Sequence, residues 1–293
     1  MTDQLESKKS AKKLLSTIVK ILLTVTAFYI LYKKVDLNQV LDLMKNINPL
    51  FYILAVLSFL VSKIISAFRL NAYYRSQGLY ITEIENTKIY YHAMFYNIII
   101  PLIGGEASKI IWIKNNYNVA TKSLVWSALL DRGGGLVALV ILTVILYYFT
   151  SVSFPFSDWL FILIPLALIG SYLLHHLFFK TYKSAWFKVN ILSIVVQLLQ
   201  LSAAYFVVKS MNLDSLVIEY LFIFMLSSFA YMLPFIGARE LAFVYGAEVI
   251  GLNEEISLTI SLLFYTVIVI NSLLGGIFFI FPIKRNHVDD QRI

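Results

Sequence analysis

The 293-residue sequence contains no cysteine. This absence excludes disulfide bonds, thiolate metal sites and cysteine nucleophiles, and it leaves the redox state of the compartment undetermined. Charged residues are also scarce, at 14% of the chain. Because no stretch between the apolar runs is both long and polar, a soluble catalytic domain is not expected within these residues.

Apolar residues make up 59% of the chain instead. Many fall in runs of about twenty residues, the length that an α-helix needs to cross the roughly 30 Å hydrocarbon core of a bilayer. The net charge is +7, but the basic residues are distributed among short loops, which does not favour a nucleic-acid partner. The pattern predicts an all-α polytopic membrane protein with a single membrane domain over residues 1–293.

Two of the apolar segments are interrupted by proline, glycine and charge. Their limbs are too short to cross a bilayer alone. Non-helical backbone at membrane depth must be satisfied by protein or by a water-filled cavity, since an unpaired N–H or C=O costs several kcal/mol. We therefore predict two re-entrant hairpins, at 83–113 and 216–250. The residues that break them are Pro101, Gly104 and Gly105 in the first, and Pro234 and Gly237 in the second.

The loop charges predict an orientation. With both hairpins re-entrant, most of the 24 Lys and Arg residues lie on the side of the two termini. They include Arg69 and Arg75, placed after a second span that ends near Phe68. By the positive-inside rule this side is cytoplasmic, in a bacterial or archaeal inner membrane. Lys63, near the same end, is expected to extend its ammonium group to the interface.

Six full spans and two hairpins then form an inverted repeat. Residues 14–148 give the series span, span, hairpin, span, and residues 159–281 give the same series in the opposite direction. Discontinuous helices at matching positions of an inverted repeat are typical of transporters, in which the substrate binds near the membrane midplane.

Ionisable residues occur at both breaks and on the helix after the first. Such a group at bilayer depth costs about 2.5–3.5 kcal/mol on insertion scales and indicates a functional site. Guanidinium groups suit bidentate phosphate binding, and the limbs after Gly105 and Ala238 would direct N–H groups at an anion. A pseudo-twofold axis would bring Arg132 and Arg239 toward one another. The predicted substrate-binding residues are Glu106, Lys109, Asp131, Arg132, Arg239 and Glu240.

A second interpretation is that these charges only hold the broken helices together. Asp131 would pair with Lys109 or Arg239, and Arg132 with a glutamate of either hairpin. Removing one member of such a buried pair costs about 3–5 kcal/mol. Metal-ligand spacing, a nucleophile–base pair and a dinucleotide fingerprint are all missing from the sequence. It therefore predicts no catalytic residue, no metal and no cofactor, and the protein is not expected to be an enzyme.

The residues at the breaks resemble the motifs of a known family. Residues 101–106 with Lys109, and the pair Asp131-Arg132, are similar to the Pro-x-x-x-Gly-Glu and Glu-Arg signatures of the lysylphosphatidylglycerol synthase transmembrane-region family, which comprises flippase-like membrane proteins. Residues 234–240 resemble its second Pro/Gly-Arg-Glu block. Asp131 stands where the family usually has Glu.

The resemblance extends over about residues 12–283, and Ala238 is a second departure, since it replaces a Gly. It implies the lipid-translocating part of such a synthase, without the soluble aminoacyl-transferase domain, for which this chain has no room. The expected function is a flippase or scramblase-like transporter that moves a phosphate-containing lipid head-group between leaflets.

The expected substrate is an anionic phospholipid or a polyprenyl-phosphate-linked carrier. Two alternatives stay open at this point, a secondary transporter of a small soluble anion and a membrane-embedded lipid-phosphate enzyme. The expected partners are the membrane and the lipid head-group. The sequence determines neither the lipid, nor the direction, nor a coupling ion, nor whether the protein is an oligomer.

Overall fold

The computed structural model describes residues 19, 22–100, 103–155, 157–230, 233 and 236–285, and no β-strand occurs among them. Their α-helices are α1 (22–34), α2 (Leu37–Lys45), α3 (Pro49–Ser76), α4 (Glu83–Ile99), α5 (Gly104–Asn116), α6 (Thr121–Tyr147), α7 (Leu163–Leu177), α8 (Trp186–Ser210), α9 (Val217–Ala230), α10 (Ala238–Ile250), α11 (Glu254–Leu273) and α12 (Ile277–Ile280). Short 3₁₀ segments cover Ser157–Ile162, Lys180–Ala185 and Leu274–Gly276. The predicted all-helical class is confirmed for these residues.

Five described segments are long and apolar enough to cross a membrane: Pro49–Ser76, Thr121–Tyr147, Ser157–Leu177, Lys180–Ser210 and Glu254–Ile280. They correspond to five of the six predicted spans. The sixth, at the start of the chain, lies partly outside the described residues. The protein is therefore an integral membrane protein with several candidate spans.

Helix ends follow signals in the sequence. The hydroxyl of Thr82 accepts the N–H of Glu85 at 3.2 Å, which is one half of a capping box at the start of α4. Asn253 caps α11 in the same manner. Gly237 and Gly251 bound α10 with φ angles of 94° and 73°, in the left-handed region that side chains disfavour.

The second predicted span is longer than expected. The apolar run was expected to end near Phe68, but α3 continues to Ser76 and the chain turns at Gly78, which has a φ of 82°. The extra residues lengthen the helix by about 12 Å. Arg69 therefore lies inside the helix packing, and its assignment to a cytoplasmic loop was wrong.

Short helices stand on both sides of each predicted break. α4 packs against α5, which we call the first hairpin, and α9 packs against α10, which we call the second hairpin. The helix pairs cover 83–116 and 217–250, against predicted ranges of 83–113 and 216–250. Pro101 and Pro234 lie outside the described residues.

The first hairpin begins and ends at the same end of the helix bundle. The hydroxyl of Tyr117, directly after α5, donates to Oε1 of Glu85 in the first turn of α4 at 2.7 Å. Arg285, at the end of the described chain, lies 4.6 Å from the centre of the Tyr117 ring. Arg285, the last residue that the structure describes, therefore lies at the base of this hairpin.

The second hairpin begins and ends at the opposite end of the bundle. Ser151, which follows the far end of α6, donates through its hydroxyl to Glu219 in the first turn of α9 at 2.8 Å. Residues 249–252 line the same surface groove. Lys34 at the end of α1 forms an ion pair with Glu248 near the end of α10. The two hairpins thus enter the bundle from opposite ends.

The helix contacts have a two-fold equivalence. α3 and α8 share the most extensive contact. α3 packs on α4, α6 and α11, while α8 packs on α9, α11 and α6. Exchanging α3 with α8, α4 with α9, α5 with α10 and α6 with α11 leaves the set of principal contacts among these eight helices unchanged.

The 3₁₀ segment after α11 packs very closely on the first hairpin at Gly275. A Cβ atom at this position would lie 1.9 Å from the backbone oxygen of Tyr91 in α4. A Cβ atom on the neighbouring Gly276 would lie 3.1 Å from Cε2 of the Phe95 ring. Only glycine therefore allows the two backbones to meet here.

Candidate functional site

Arg69 of α3 and Asp131 of α6 form a buried, bidentate ion pair. Nε donates to Oδ1 at 2.7 Å and Nη2 to Oδ2 at 2.8 Å, and both side chains are only 8% exposed. Nη1 also donates to Oγ of Ser193 in α8 at 3.2 Å. Gly135 leaves room for the guanidinium, since a Cβ atom there would lie 3.3 Å from Nη1. This geometry is the strong, directional form of an ion pair, and it connects three helices.

The partner of Asp131 differs from the one that we expected. Lys109 or Arg239 was predicted, whereas Arg69 binds both carboxylate oxygens. We missed Arg69 because the apolar run weakens after Phe68. The sequence does contain a signal, since no helix-stopping residue stands between Phe68 and Gly78.

A second group of charges lies where α5 meets α6. Lys109 Nζ is 3.0 Å from Oε2 of Glu106, one turn earlier on α5, and 4.8 Å from the centre of the Tyr90 ring. Arg132 Nη2 is 3.7 Å from Oε1 of the same glutamate. This is one of the pairings that the second interpretation predicted. At 3.7 Å it is looser than the contacts between Arg69 and Asp131.

Glycines allow the first hairpin to close. A Cβ atom on Gly105 would lie 2.6 Å from the backbone oxygen of Ala93, and one on Gly104 would lie 2.7 Å from that of Tyr96. The Gly105 N–H donates to Oδ1 of Asn97 at 2.8 Å. The Gly105 N–H is therefore capped by a side chain of α4, while the expectation that N–H groups of the limb after Gly105 point at an anion stays a prediction.

Arg239 of α10 lies in an aromatic pocket. Its guanidinium carbon is 4.9 Å from the ring centre of Phe224, 5.7 Å from that of Phe243 and 4.7 Å from that of Phe264. These rings come from α9, α10 and α11, and the arginine is 8% exposed. Each contact has the geometry of a cation–π interaction.

Lys63 lies between the charges of the first half and the aromatic pocket of Arg239. Its ammonium lies 4.4 Å from the ring centre of Phe59, which in turn packs edge-on against Phe264 of the aromatic pocket. The interfacial position predicted for Lys63 was wrong, because α3 continues for three more turns beyond it. Lys63 interacts electrostatically with Arg69, Lys109, Asp131 and Arg239.

The two arginines that were expected to face one another differ in their surroundings. The side chain of Arg132 is 55% exposed beside Glu106, whereas Arg239 is buried among phenylalanines. Lys63, another cation of the first half, interacts electrostatically with Arg239. Glu240, the next residue on α10, is partly buried.

We call these side chains the central cluster. Its members are Lys63, Arg69, Glu106, Lys109, Asp131, Arg132 and Arg239, and we count Glu240 with them as the neighbour of Arg239 along α10. Five of them are basic and three are acidic, so the basic side chains exceed the acidic ones by two.

A protein-family model described as the lysylphosphatidylglycerol synthase TM region matches residues 17–189, more than half of the chain. The chain belongs to this family. The matched range is narrower than the expected 12–283, and it ends before the second hairpin. No curated protein and no solved structure gives a significant match.

The family model matches only part of the central cluster. The matched range contains the first hairpin, Arg69, Asp131 and Arg132, whereas Arg239 and Glu240 lie beyond it. Among the residues that the structure describes, no group of three or more His, Cys, Asp or Glu side chains is placed to hold a metal ion.

Proposed function

We propose that this member of the lysylphosphatidylglycerol synthase TM-region family is a flippase or scramblase-like transporter, and not an enzyme. It moves a phosphate-containing lipid head-group across the membrane. The observation that carries the proposal is the excess of basic over acidic side chains in the central cluster. An anionic phosphate would compensate this excess and accept charge-assisted hydrogen bonds from the guanidinium groups.

The proposed architecture is an inverted repeat with two re-entrant hairpins. The exchange symmetry of the helix contacts supports it, as does the return of each hairpin to its own end of the bundle. Exposed basic residues surround the base of the first hairpin, which favours a cytoplasmic position for that end and for both termini, in a bacterial or archaeal inner membrane. These residues are Lys114, Lys122, Lys183, Lys188, Lys284 and Arg285.

The two kinds of ion pair support two different roles in transport. The bidentate pair between Arg69 and Asp131 keeps α3 and α6 in register, since both of its members are buried. Arg132 is half-exposed and more loosely paired, so it can exchange Glu106 for a phosphate at lower cost. The hydrophilic head-group then passes the cluster while the acyl or prenyl chains stay in the lipid.

The substrate class that fits is an anionic phospholipid or a polyprenyl-phosphate-linked carrier. A carrier of small soluble anions would use the same surplus charge. The half-exposed position of Arg132 on a helix that faces lipid favours the lipid substrate. Glu106 and Asp131 are both engaged by cations, which disfavours either of them as the nucleophile of a lipid-phosphate enzyme.

Mass spectrometry of the lipids retained by gently purified protein tests the proposal. We compare the wild type, an Arg132→Gln/Arg239→Gln double variant, and Arg75→Gln as control. Arg75 is an arginine of the same membrane domain, but it pairs with Glu83 at 2.7 Å outside the cluster. We expect one class of phosphate lipid to be enriched in the wild type and the control, and lost in the double variant.

Translocation of a fluorescent phospholipid in vesicles is measured with the same proteins. The double variant should lose transport and the control should keep it. Unchanged transport by a monodisperse double variant would overturn the proposal. Transport of a water-soluble anion without any dependence on lipid would favour the soluble-anion carrier.

A further inference from the structure

One face of α6 is exposed along its first half and carries both apolar and basic side chains. The exposed positions follow helical spacing: Val125, Leu129, then Arg132 and Gly133. Val125 and Leu129 are 39% and 51% exposed, as expected for side chains that contact lipid. Gly133 is open as well, because a Cβ atom there would have no neighbour within 4 Å.

Arg132 lies near the middle of α6, a helix long and apolar enough to cross a membrane. It is about 16 Å from the start of α6 at Thr121 and about 22 Å from its end at Tyr147, using 1.5 Å per residue. An arginine at such a depth is costly unless an anion or water meets it. Ile103, the residue directly before α5 and three positions before Glu106, is also exposed. A charged pair therefore interrupts an otherwise apolar surface.

Exposure decreases from this surface toward the interior. The side chain of Arg132 is 55% exposed, that of Glu106 is 26% exposed and that of Lys109 is 7% exposed. Lys109 in turn interacts electrostatically with Asp131, which binds Arg69. The charges thus form a continuous series from the lipid-facing side of α5 and α6 to the buried part of the central cluster.

We infer that the junction of α5 and α6 is a lateral portal through which a lipid head-group reaches the central cluster directly from the bilayer. Arg132 binds the lipid phosphate first, and the phosphate takes the place of Glu106 on the guanidinium group. Glu106 keeps Lys109 as its partner during this exchange. The inference rests on the proposed function, and it adds where the substrate binds first and from which phase it comes.

Because the chain has no cysteine, single cysteines can be labelled with a fluorophore. Gly133→Cys places the label next to Arg132. Gly170→Cys is the matched control, since Gly170 lies in the middle of the lipid-facing helix α7 and also has no neighbour within 4 Å of a Cβ atom. Both variants are reconstituted in phosphatidylcholine vesicles. An anionic phospholipid carries a nitroxide quencher either on its head-group or in the middle of an acyl chain.

We expect both positions to be quenched by the nitroxide on the acyl chain, but only position 133 by the nitroxide on the head-group. Arg132→Gln in the Gly133→Cys background should abolish the head-group quenching and keep the acyl-chain quenching, which also verifies that the protein has folded. Equal head-group quenching at 133 and 170, or quenching at 133 that survives Arg132→Gln, would overturn the portal. Quenching at 133 only by a water-soluble nitroxide phosphate would overturn it as well, because the anion would then come from water.

The same vesicles separate the portal from the proposed function. Head-group quenching at 133 that depends on Arg132, in vesicles in which the wild type moves no phospholipid, would support the portal and refute the transporter. Transport that requires these arginines without head-group quenching at 133 would support the transporter and refute the portal.

Discussion

The first hairpin surrounds its charged residues with other charges, whereas the second hairpin surrounds its arginine with aromatic rings. Glu106 and Lys109 of α5 contact one another and Arg132. Arg239 of α10 lies against three phenylalanines, Phe224, Phe243 and Phe264. Ion pairs can exchange partners when an anion arrives, while rings from three helices hold one cation in place. We therefore expect the first hairpin to respond to substrate and the second to supply a fixed positive charge.

The largest effect should come from removing a fixed ion pair, the one in which Asp131 binds Arg69. Asp131→Ala leaves the Arg69 guanidinium buried beside an empty position, which should lower the free energy of unfolding by about 3–5 kcal/mol. The measurement is unfolding by a denaturing detergent in mixed micelles. The double variant Arg69→Met/Asp131→Leu should recover most of the loss, because no buried charge remains. A double variant as unstable as Asp131→Ala would contradict this account.

Gly105→Ala tests how tightly the first hairpin is closed relative to the second. The new Cβ atom would meet the backbone oxygen of Ala93 at 2.6 Å, which cannot move without α4, so we expect a loss near the upper end of about 1–3 kcal/mol. The matched change is Gly246→Ala in the second hairpin, where the nearest atom is Cγ2 of Ile223 at 3.3 Å. That side chain can shift, so its loss should stay below about 1 kcal/mol. Equal losses would mean that the hairpins are packed alike.

Arg239→Met tests how much the aromatic contacts of the second hairpin contribute to stability. Methionine fills the pocket but ends the cation–π contacts, which are worth about 2 kcal/mol when they are desolvated. The loss of stability should be smaller than that of Arg69→Met, which leaves Asp131 as a buried charge without its bidentate partner. Unfolding of both variants in the same micelles provides the test. If Arg239→Met were less stable than Arg69→Met, the contrast between the ion pair and the aromatic pocket would be refuted.

The smallest effect should be at the base of the first hairpin, where Tyr117 binds Glu85. Burial, and then the hydrogen bond to Glu85, raise the pKa of Tyr117 above its ordinary value. The contribution of this tyrosine to stability is thus complete below pH about 10 and is lost as the pH rises through the folded-state pKa. Tyr117→Phe should cost about 1 kcal/mol at neutral pH.

The pH dependence distinguishes this tyrosine from others. Unfolding is measured at several alkaline pH values, with Tyr80→Phe as control because Tyr80 is exposed. The wild type and the control should lose stability more steeply above pH 10 than Tyr117→Phe does. Identical alkaline profiles for all three proteins would show that Tyr117 makes no such contribution.

Much of the helical arrangement could be predicted from the sequence, because its signals are local. Proline and glycine inside apolar runs marked the positions where α4 gives way to α5 and α9 to α10. The length of the apolar runs predicted the five described spans. The motifs around Glu106 and Asp131 predicted the family, which the match over residues 17–189 confirms. The substrate-binding roles of the six chosen residues stay predictions.

The partners of these residues could not be predicted, because they depend on contacts between distant helices. Asp131 binds Arg69, 62 positions earlier in the chain, and no spacing rule links the two. The pocket around Arg239 uses rings from three helices, which look like ordinary core residues in the sequence. Lys63 was misplaced because an apolar run can end before its helix does.

The contact at Gly275 has a mechanical consequence for the whole protein. The backbones of α4 and of the segment after α11 touch there. Arg285 adds a cation–π contact with Tyr117 at the base of the same hairpin. We therefore expect the first hairpin and the end of the described chain to move together. Any tilt of the hairpin inside the membrane would displace the surface residues around Arg285, so a probe at that position would report the motion without contacting the site.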